Sequence, residues 1–276
     1  MSSRESDEKD PTRKQRREQA RSERKAMEEA AAASASRRTR LTQLGAVVAV
    51  IVVAIVVILL ATGGSSSNKA VEAKTPQATA ISAEVNKLVA GIPQSSNTLG
   101  KPDAPVTLQY FGDLECPFCK QFTTGALHTL IEKWVRPGKL RIEYHSLETA
   151  TREPETFRTQ QVAALAAGKQ GKMWNYVELF YHEQGEEDSG YVTSKFLQGL
   201  AQQVNGLNLS KWSSDRTDTT LDNQVEKDEQ AASAAGFTGT PSFLIGKTGG
   251  GTEKLEASSF SDPSPYNAAI EKLLKS

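Results

Sequence analysis

The sequence predicts an α/β domain carrying an inserted helical block, preceded by a single transmembrane helix. Three observations predict it. Residues 44–61 are an unbroken apolar run. Beyond them the patterning runs strand, helix, strand, then a long stretch without β character at about 152–235, then strand, strand and helix. The chain's two cysteines stand where the first strong strand gives way to a helix.

The division that follows is a charged cytoplasmic tail at 1–40, a transmembrane helix at 41–61, a linker at 62–95 and a domain at 96–276. Charge separates these regions although the chain is formally neutral. Residues 1–40 carry 12 Lys and Arg against 8 Asp and Glu, whereas residues 62–276 carry 21 against 25. A mildly acidic body excludes a nucleic-acid binder of the basic-patch kind. Two cysteines in 276 residues exclude a scaffold stapled by disulfides.

The run from Leu44 to Ala61 spans 18 residues without a charge. At about 1.5 Å per residue it covers roughly 27 Å, close to a hydrocarbon core of about 30 Å. A buried core helix would show a polar face, and a cleaved signal peptide would have a shorter apolar region behind a shorter basic head. An uncleaved signal-anchor is therefore expected. Arg37, Arg38 and Arg40 abut it on one side, and only Lys69 and Lys74 lie near it on the other. That asymmetry sets the N-terminus in the cytoplasm and residues 62–276 outside, at the cell membrane.

Residues 62–80 are rich in Gly, Ser, Thr and Ala and read as linker. Ile81, Val85, Leu88 and Val89 then share one helical face. Val106 to Phe111 is a strong β run. Cys119 to Trp134 reads as a helix, with Phe122, Leu127, Leu130, Ile131 and Trp134 near helical spacing, and Pro137-Gly138 stops it. Leu140 to His145 alternates as the next strand. The block from 152 offers helical patterns at 157–169, 172–183, 194–204 and 210–235, the last closed by Gly236. Residues 241–245 resume β character, 246–251 turn, and 254–257 return. A helix with Tyr266, Ile270, Leu273 and Leu274 on its apolar face ends the chain.

The chemistry-bearing segment is Cys116-Pro117-Phe118-Cys119. A helix N-terminus offers unpaired N–H groups and about half a positive charge, which favour a thiolate. Pro117 suits the first helical turn, because its missing N–H costs nothing there. Cys119, one turn later, is placed to exchange with a disulfide formed on Cys116. Zinc would need two further ligands, and His128, His145 and His182 are scattered. A structural disulfide here would close too short a loop to stabilise much. A redox-active pair is the expectation, with no metal and no cofactor.

The motif Phe111-Gly112-Asp113-Leu114-Glu115-Cys116-Pro117-Phe118-Cys119, with Ala104 to Leu108 before it, resembles the thioredoxin-fold DsbA family, especially its membrane-anchored actinobacterial-type members. Gly236 to Phe243 resembles that family's cis-proline loop, with Thr240 before Pro241. The resemblance covers about residues 97–276. It implies a thioredoxin-like fold with the helical block inserted, and a loop at Thr240 and Pro241 that binds substrate backbone beside the cysteines. It implies an extracytoplasmic thiol-disulfide oxidoreductase acting on unfolded or reduced secreted proteins. It further implies reoxidation by a membrane quinone-linked partner of the DsbB or vitamin-K-epoxide-reductase-like type. Two departures stand out. Tyr110 occupies the place, six residues before Cys116, where such proteins often bury an acid; Asp113 or Glu115 is the alternative acid, against the favoured reading of both as solvated loop carboxylates. Phe118 stands where strongly oxidising members often carry His. A reductase or isomerase of the same fold, and a non-enzymatic membrane-anchored binding module, are the alternatives.

Overall fold

The computed structural model describes residues 75–276, within the compact unit Asn68–Ser276. The expected tail, transmembrane helix and first part of the linker lie outside the described residues. Among the described residues no helix is long and apolar enough to cross a membrane.

The chain first forms helix α1 (Pro76–Val89), opened by Thr75, whose hydroxyl accepts from the Ala78 N–H at 3.0 Å, and by Pro76 in the first turn. Val85 and Val89 bury one face of it. Two short strands, β1 (Gln94–Ser95) and β2 (Thr98–Leu99), then pair as a hairpin. The linker expected to extend to residue 95 therefore ends earlier. Residues 76–95 pack as part of the body, because the apolar face at Val85 and Val89 is wide enough to be buried.

Strands β3 (Val106–Gly112) and β4 (Leu140–Ser146) run parallel, joined by the helical stretch α2 (Pro117–Val135). Strand β5 (Ser242–Lys247) pairs antiparallel with β3, and β6 (Thr252–Lys254) with β5. The sheet order is β1-β2-β4-β3-β5-β6, so β3 is central. That position explains its sequence. Every β3 residue except Gln109 is buried, whereas β4 alternates buried and half-buried. Strand β6 starts earlier than the 254–257 expected, because Gly246 pairs with Thr252 directly across the turn.

Successive residues of β3 point to opposite faces. Tyr110 meets Phe122 and Phe243, and both of these meet Tyr266 of the last helix, α8 (Ser264–Lys275), within one aromatic cluster. Phe111 faces the other way, onto Leu147 and Ala232. Between β4 and β5 lie α3 (Pro154–Gly168), α4 (Met173–His182), α5 (Ser194–Gln203), α6 (Leu209–Asp215) and α7 (Thr219–Ala234). Helix α3 is buried almost all round over Gln160 to Gly168, with alanines letting its neighbours approach. The polar stretch expected as one helix is two, because Asp218 caps α7 by accepting from the Thr220 N–H at 3.0 Å.

The helix after β3 is not regular. Pro117–Gln121 and Leu127–Leu130 are α-helical, and Phe122–Ala126 and Ile131–Val135 are π-helical turns. The Leu127 N–H reaches the Phe122 carbonyl, five residues back, and Arg136 reaches Ile131 at 2.8 Å. From Phe122 to Leu127 is one residue too many for a standard turn. The π turn absorbs it and keeps both side chains buried.

Candidate active site

Cys116 is the N-cap of this helix, with extended backbone (φ −70°, ψ 121°) and Pro117 in the first turn. Its N–H donates to the Asp113 carbonyl at 3.1 Å, and its own carbonyl receives the Lys120 N–H at 3.1 Å and the Gln184 side-chain amide at 3.1 Å. Gln184 also donates to the Leu114 carbonyl at 2.8 Å, so the segment just beyond α4 clamps the turn that carries Cys116. Both cysteines are free thiols. Cys116 is 4% exposed, and Cys119 is fully buried.

The two sulfurs sit in opposite electrostatic settings. The Cys119 thiol donates to Cys116 and is the chief cause that lowers the Cys116 thiol to about 6, against burial. The Thr240 hydroxyl and the N–H groups of Cys119 and Phe118 at the helix start act in the same sense. The Thr240 carbonyl, 3.4 Å from Cys116 Sγ, only accepts, and so it favours the protonated thiol. The donors outnumber it. Burial pushes Cys119 well above the ordinary thiol range, and its partnership with Cys116 adds to that.

The Thr240-Pro241 peptide is cis, and its loop lies against Cys116 although 124 residues separate Cys116 from Thr240. The Thr240 hydroxyl also meets the Thr149 hydroxyl. Thr149 belongs to a loop organised by Asp113. The Asp113 carboxylate accepts from the N–H groups of Glu115 (3.0 Å), Thr149 (3.1 Å), Ala150 (2.9 Å) and Thr151 (2.9 Å), and from the Thr151 hydroxyl (2.6 Å). Asp113 and Glu115 are therefore not solvated loop carboxylates, since both are buried. Burial raises Glu115 to about 7, with Asp113 and Asp188 adding to the rise. Phe118 projects outward, 51% exposed, with its ring 5.9 Å from Phe260.

Below Cys119 lies a set of buried phenols. Tyr110 Oη is 3.0 Å from Tyr181 Oη and 3.5 Å from Thr123 Oγ1. The Tyr181 hydroxyl donates to the Asp113 carbonyl at 3.1 Å, and that of Tyr144 to the Gly112 carbonyl at 3.0 Å. Tyr181, Thr149, Thr151 and Gln184 carry no signal in the sequence, because each acts through a contact with residues 113–116 that forms only when the loop after β4 and the helical block fold against them. The three histidines lie elsewhere. His128 pairs with the buried Glu178 at 3.2 Å. His145 pairs with Asp228 at 2.8 Å, and Asp228 and Glu143 hold its ring charged up to about 9 although burial opposes the charge. Among the described residues no group of three or more His, Cys, Asp and Glu is placed to hold a metal ion.

A thiolate-prone sulfur at the start of a helix, backed by a fully buried partner thiol, can exchange a disulfide with another molecule. Comparison with known proteins agrees with that chemistry. A family model described as thioredoxin matches residues 94–259, more than half of the chain. Disulfide bond formation protein D of Bacillus subtilis is 26% identical over 197 residues, covering 69% of this chain and 83% of its own. The crystal structure of oxidised BdbD from Bacillus subtilis superposes with a TM-score of 0.57 at 24% identity, covering 67% of this chain and 97% of that one. The α-DsbA1 structure of Wolbachia pipientis gives 0.54 at 19% identity, covering 67% and 92%. The chain belongs to the thioredoxin family and is a thiol-disulfide oxidoreductase.

Proposed function

We propose that the chain introduces disulfides into secreted or cell-envelope proteins, from an extracytoplasmic domain anchored by residues 41–61. The observation that carries this reading is the unequal pair of thiols. A substrate thiolate attacks Cys116 of the Cys116–Cys119 disulfide, and Cys119 leaves. The substrate's second thiol then attacks the mixed disulfide, and Cys116 leaves. A thiolate favoured at a pH of about 6 is a good leaving group, and it stabilises the reduced enzyme, which makes the pair an acceptor of electrons. Thr240 and Pro241 offer backbone to an extended substrate, as an added strand would. Pro117 starts the helix that supports the thiolate, and Phe118 gives the mouth an apolar rim. The name of the Bacillus subtilis relative points in the same direction. The excess of positive charge at Arg37, Arg38 and Arg40 beside the anchor keeps that end in the cytoplasm, and a membrane quinone-linked reoxidase of the DsbB or vitamin-K-epoxide-reductase-like type returns the pair to the disulfide.

The test is the reduction potential of the full chain against a glutathione buffer, read beside its rate of oxidising reduced ribonuclease. A potential above about −200 mV, with fast oxidation, supports the reading. A value near the thioredoxin figure of about −270 mV would assign the chain to reduction instead.

A further inference from the structure

Cys119 presents a problem that the fold must solve. In either direction of exchange it bears negative charge, leaving when a substrate opens the disulfide and attacking when the pair closes. Yet it is fully buried, and burial opposes that charge. Tyr110 Oη lies 3.5 Å from Thr123 Oγ1, one helical turn on from Cys119, and it and the Asp113 N–H are the groups that favour the charged sulfur.

Tyr110 is held where it can serve. A Cβ on Gly112 would lie 3.0 Å from both Cζ and Oη of Tyr110, so the glycine leaves room for the phenol under the strand end. The hydroxyl belongs to a buried row, Thr123, Tyr110, Tyr181 and the Asp113 carbonyl, at 3.5, 3.0 and 3.1 Å. Each phenol has one hydrogen to give. If Tyr181 donates to Asp113, Tyr110 donates to Tyr181, and nothing in the row donates to Cys119. If Tyr110 turns to Cys119, Tyr181 can donate to Tyr110 and release the carbonyl. Both phenols stay protonated, because burial raises each well above the usual phenol range.

We propose that Tyr110 and Tyr181 form a reversible hydroxyl chain, whose hydrogens turn toward Cys119 when that sulfur is charged and toward the Asp113 carbonyl when it is protonated. The proposal rests on the reading of Cys119 as the exchanging partner of Cys116. When a substrate thiol ionises, it sheds its proton to solvent. Its sulfur bonds to Cys116, the Cys116–Cys119 bond breaks, and the electron pair stays on Cys119. Tyr110 donates to that sulfur while Tyr181 donates to Tyr110. Cys119 then takes up a proton from solvent and the chain turns back. Tyr110 is thus a positioning residue for the buried sulfur, and two O–H rotations replace movement of a charged side chain.

The experiment follows the reduced full chain in detergent with 5,5′-dithiobis(2-nitrobenzoate), at pH 5 to 9. The first nitrothiophenolate released reports attack by Cys116, and the second reports attack by Cys119 on the resulting mixed disulfide. Tyr110→Phe should slow the second phase about tenfold and move its pH midpoint upward, leaving the first unchanged. Tyr181→Phe should stay within about threefold, because Tyr110 keeps its hydrogen. Tyr266→Phe removes another buried phenol near Cys119, one whose hydroxyl lies outside the row, and should change nothing. A second phase at the wild-type rate and pH in Tyr110→Phe overturns the proposal, as does equal slowing by Tyr110→Phe and Tyr181→Phe. If Tyr110→Phe does not fold, 3,5-difluorotyrosine at position 110, a stronger donor, should lower the midpoint, and an unmoved midpoint overturns it. A second phase that persists in Cys119→Ser would instead defeat the underlying reading of Cys119.

Discussion

The mouth and the floor of this site hold the same functional group in opposite states. At the mouth, Cys116 caps a helix and is met by N–H groups and by a neighbouring thiol that donates. At the floor, Cys119 lies three residues on, under β3 and among phenols, and burial holds its proton. One turn of helix is about 5.4 Å, so the contrast arises over a very short distance. What differs is the count of donors aimed at each sulfur and the access of water. The lesson is that a disulfide carrier needs only one sulfur to be reactive. The other must be kept from reacting with anything but its partner.

The strongest way to break the comparison is to exchange the roles. Cys116→Ser should abolish exchange with an external disulfide altogether, whereas Cys119→Ser should retain the first attack and accumulate mixed disulfides, visible on a non-reducing gel. Trapping by Cys116→Ser and not by Cys119→Ser would invert the assignment of mouth and floor.

A graded test uses pH. Iodoacetamide should modify Cys116 with a midpoint at about 6 and leave Cys119 unmodified up to pH 9, with mass spectrometry locating the adduct. The same depressed thiol links to stability. Its folded pKa lies below its unfolded value, so its contribution is present in full above about 8.5 and is lost as pH falls through about 6. The reduced protein should therefore gain on the oxidised one as pH rises between those limits. Comparing the two redox forms cancels Glu115, whose raised carboxyl works with the opposite sign between about 4.5 and 7 in both. A difference in melting temperature that does not change across that window would remove the electrostatic contrast.

Much of the mouth was legible in the sequence, and little of the floor. The apolar run of β3 followed by Cys116-Pro117 announces a strand-to-helix junction, because both signals are local. The Thr240-Pro241 loop is far along the chain and was reached by resemblance, not by periodicity. The floor depends on side chains brought in from α4. Tyr181 sits in an ordinary apolar helix pattern, and nothing in that pattern marks its hydroxyl. Asp113 and Glu115 misled for a related reason. A charged Gly-Asp-Leu-Glu segment reads as solvated loop until the N–H groups of residues 149–151 arrive to satisfy it. The hairpin of β1 and β2 was missed because two-residue strands have no period. The π turns were invisible as such, though the five-residue step from Phe122 to Leu127 carried their trace.

Asp113 joins the two regions, and its replacement measures how firmly. Asp113→Asn puts an amide donor among N–H groups that now share a carboxylate, leaving some of them unpaired in a buried setting. The expected loss is about 3 kcal/mol in urea unfolding, since hydrogen bonds to charged groups are worth about 1.5–3 kcal/mol each and part is recovered by relaxation. A change under 0.5 kcal/mol, about the scatter of surface substitutions, would show that the 149–151 loop is held by other contacts.

The smallest expected effect sharpens the contrast at the mouth alone. Phe118 contributes its backbone N–H to the Cys116 thiolate, while its ring is half exposed and donates nothing to the sulfur. Phe118→His adds a ring that is charged below about 6.5 and lies next to that sulfur. A cation there stabilises the thiolate, hence the reduced pair, and raises the reduction potential. Exposure to water limits the gain, so a rise of about 30 mV at pH 6, equivalent to about 1.4 kcal/mol, is expected. It should shrink toward pH 8 as the imidazole loses its charge. Cys119 is shielded from the ring by burial, and its rate of attack on a mixed disulfide should be the same in both proteins at pH 8. A potential unchanged or lower at pH 6 would mean that the helix N-terminus and the Cys119 thiol already set the stability of the Cys116 thiolate, leaving residue 118 to shape the rim that substrates touch.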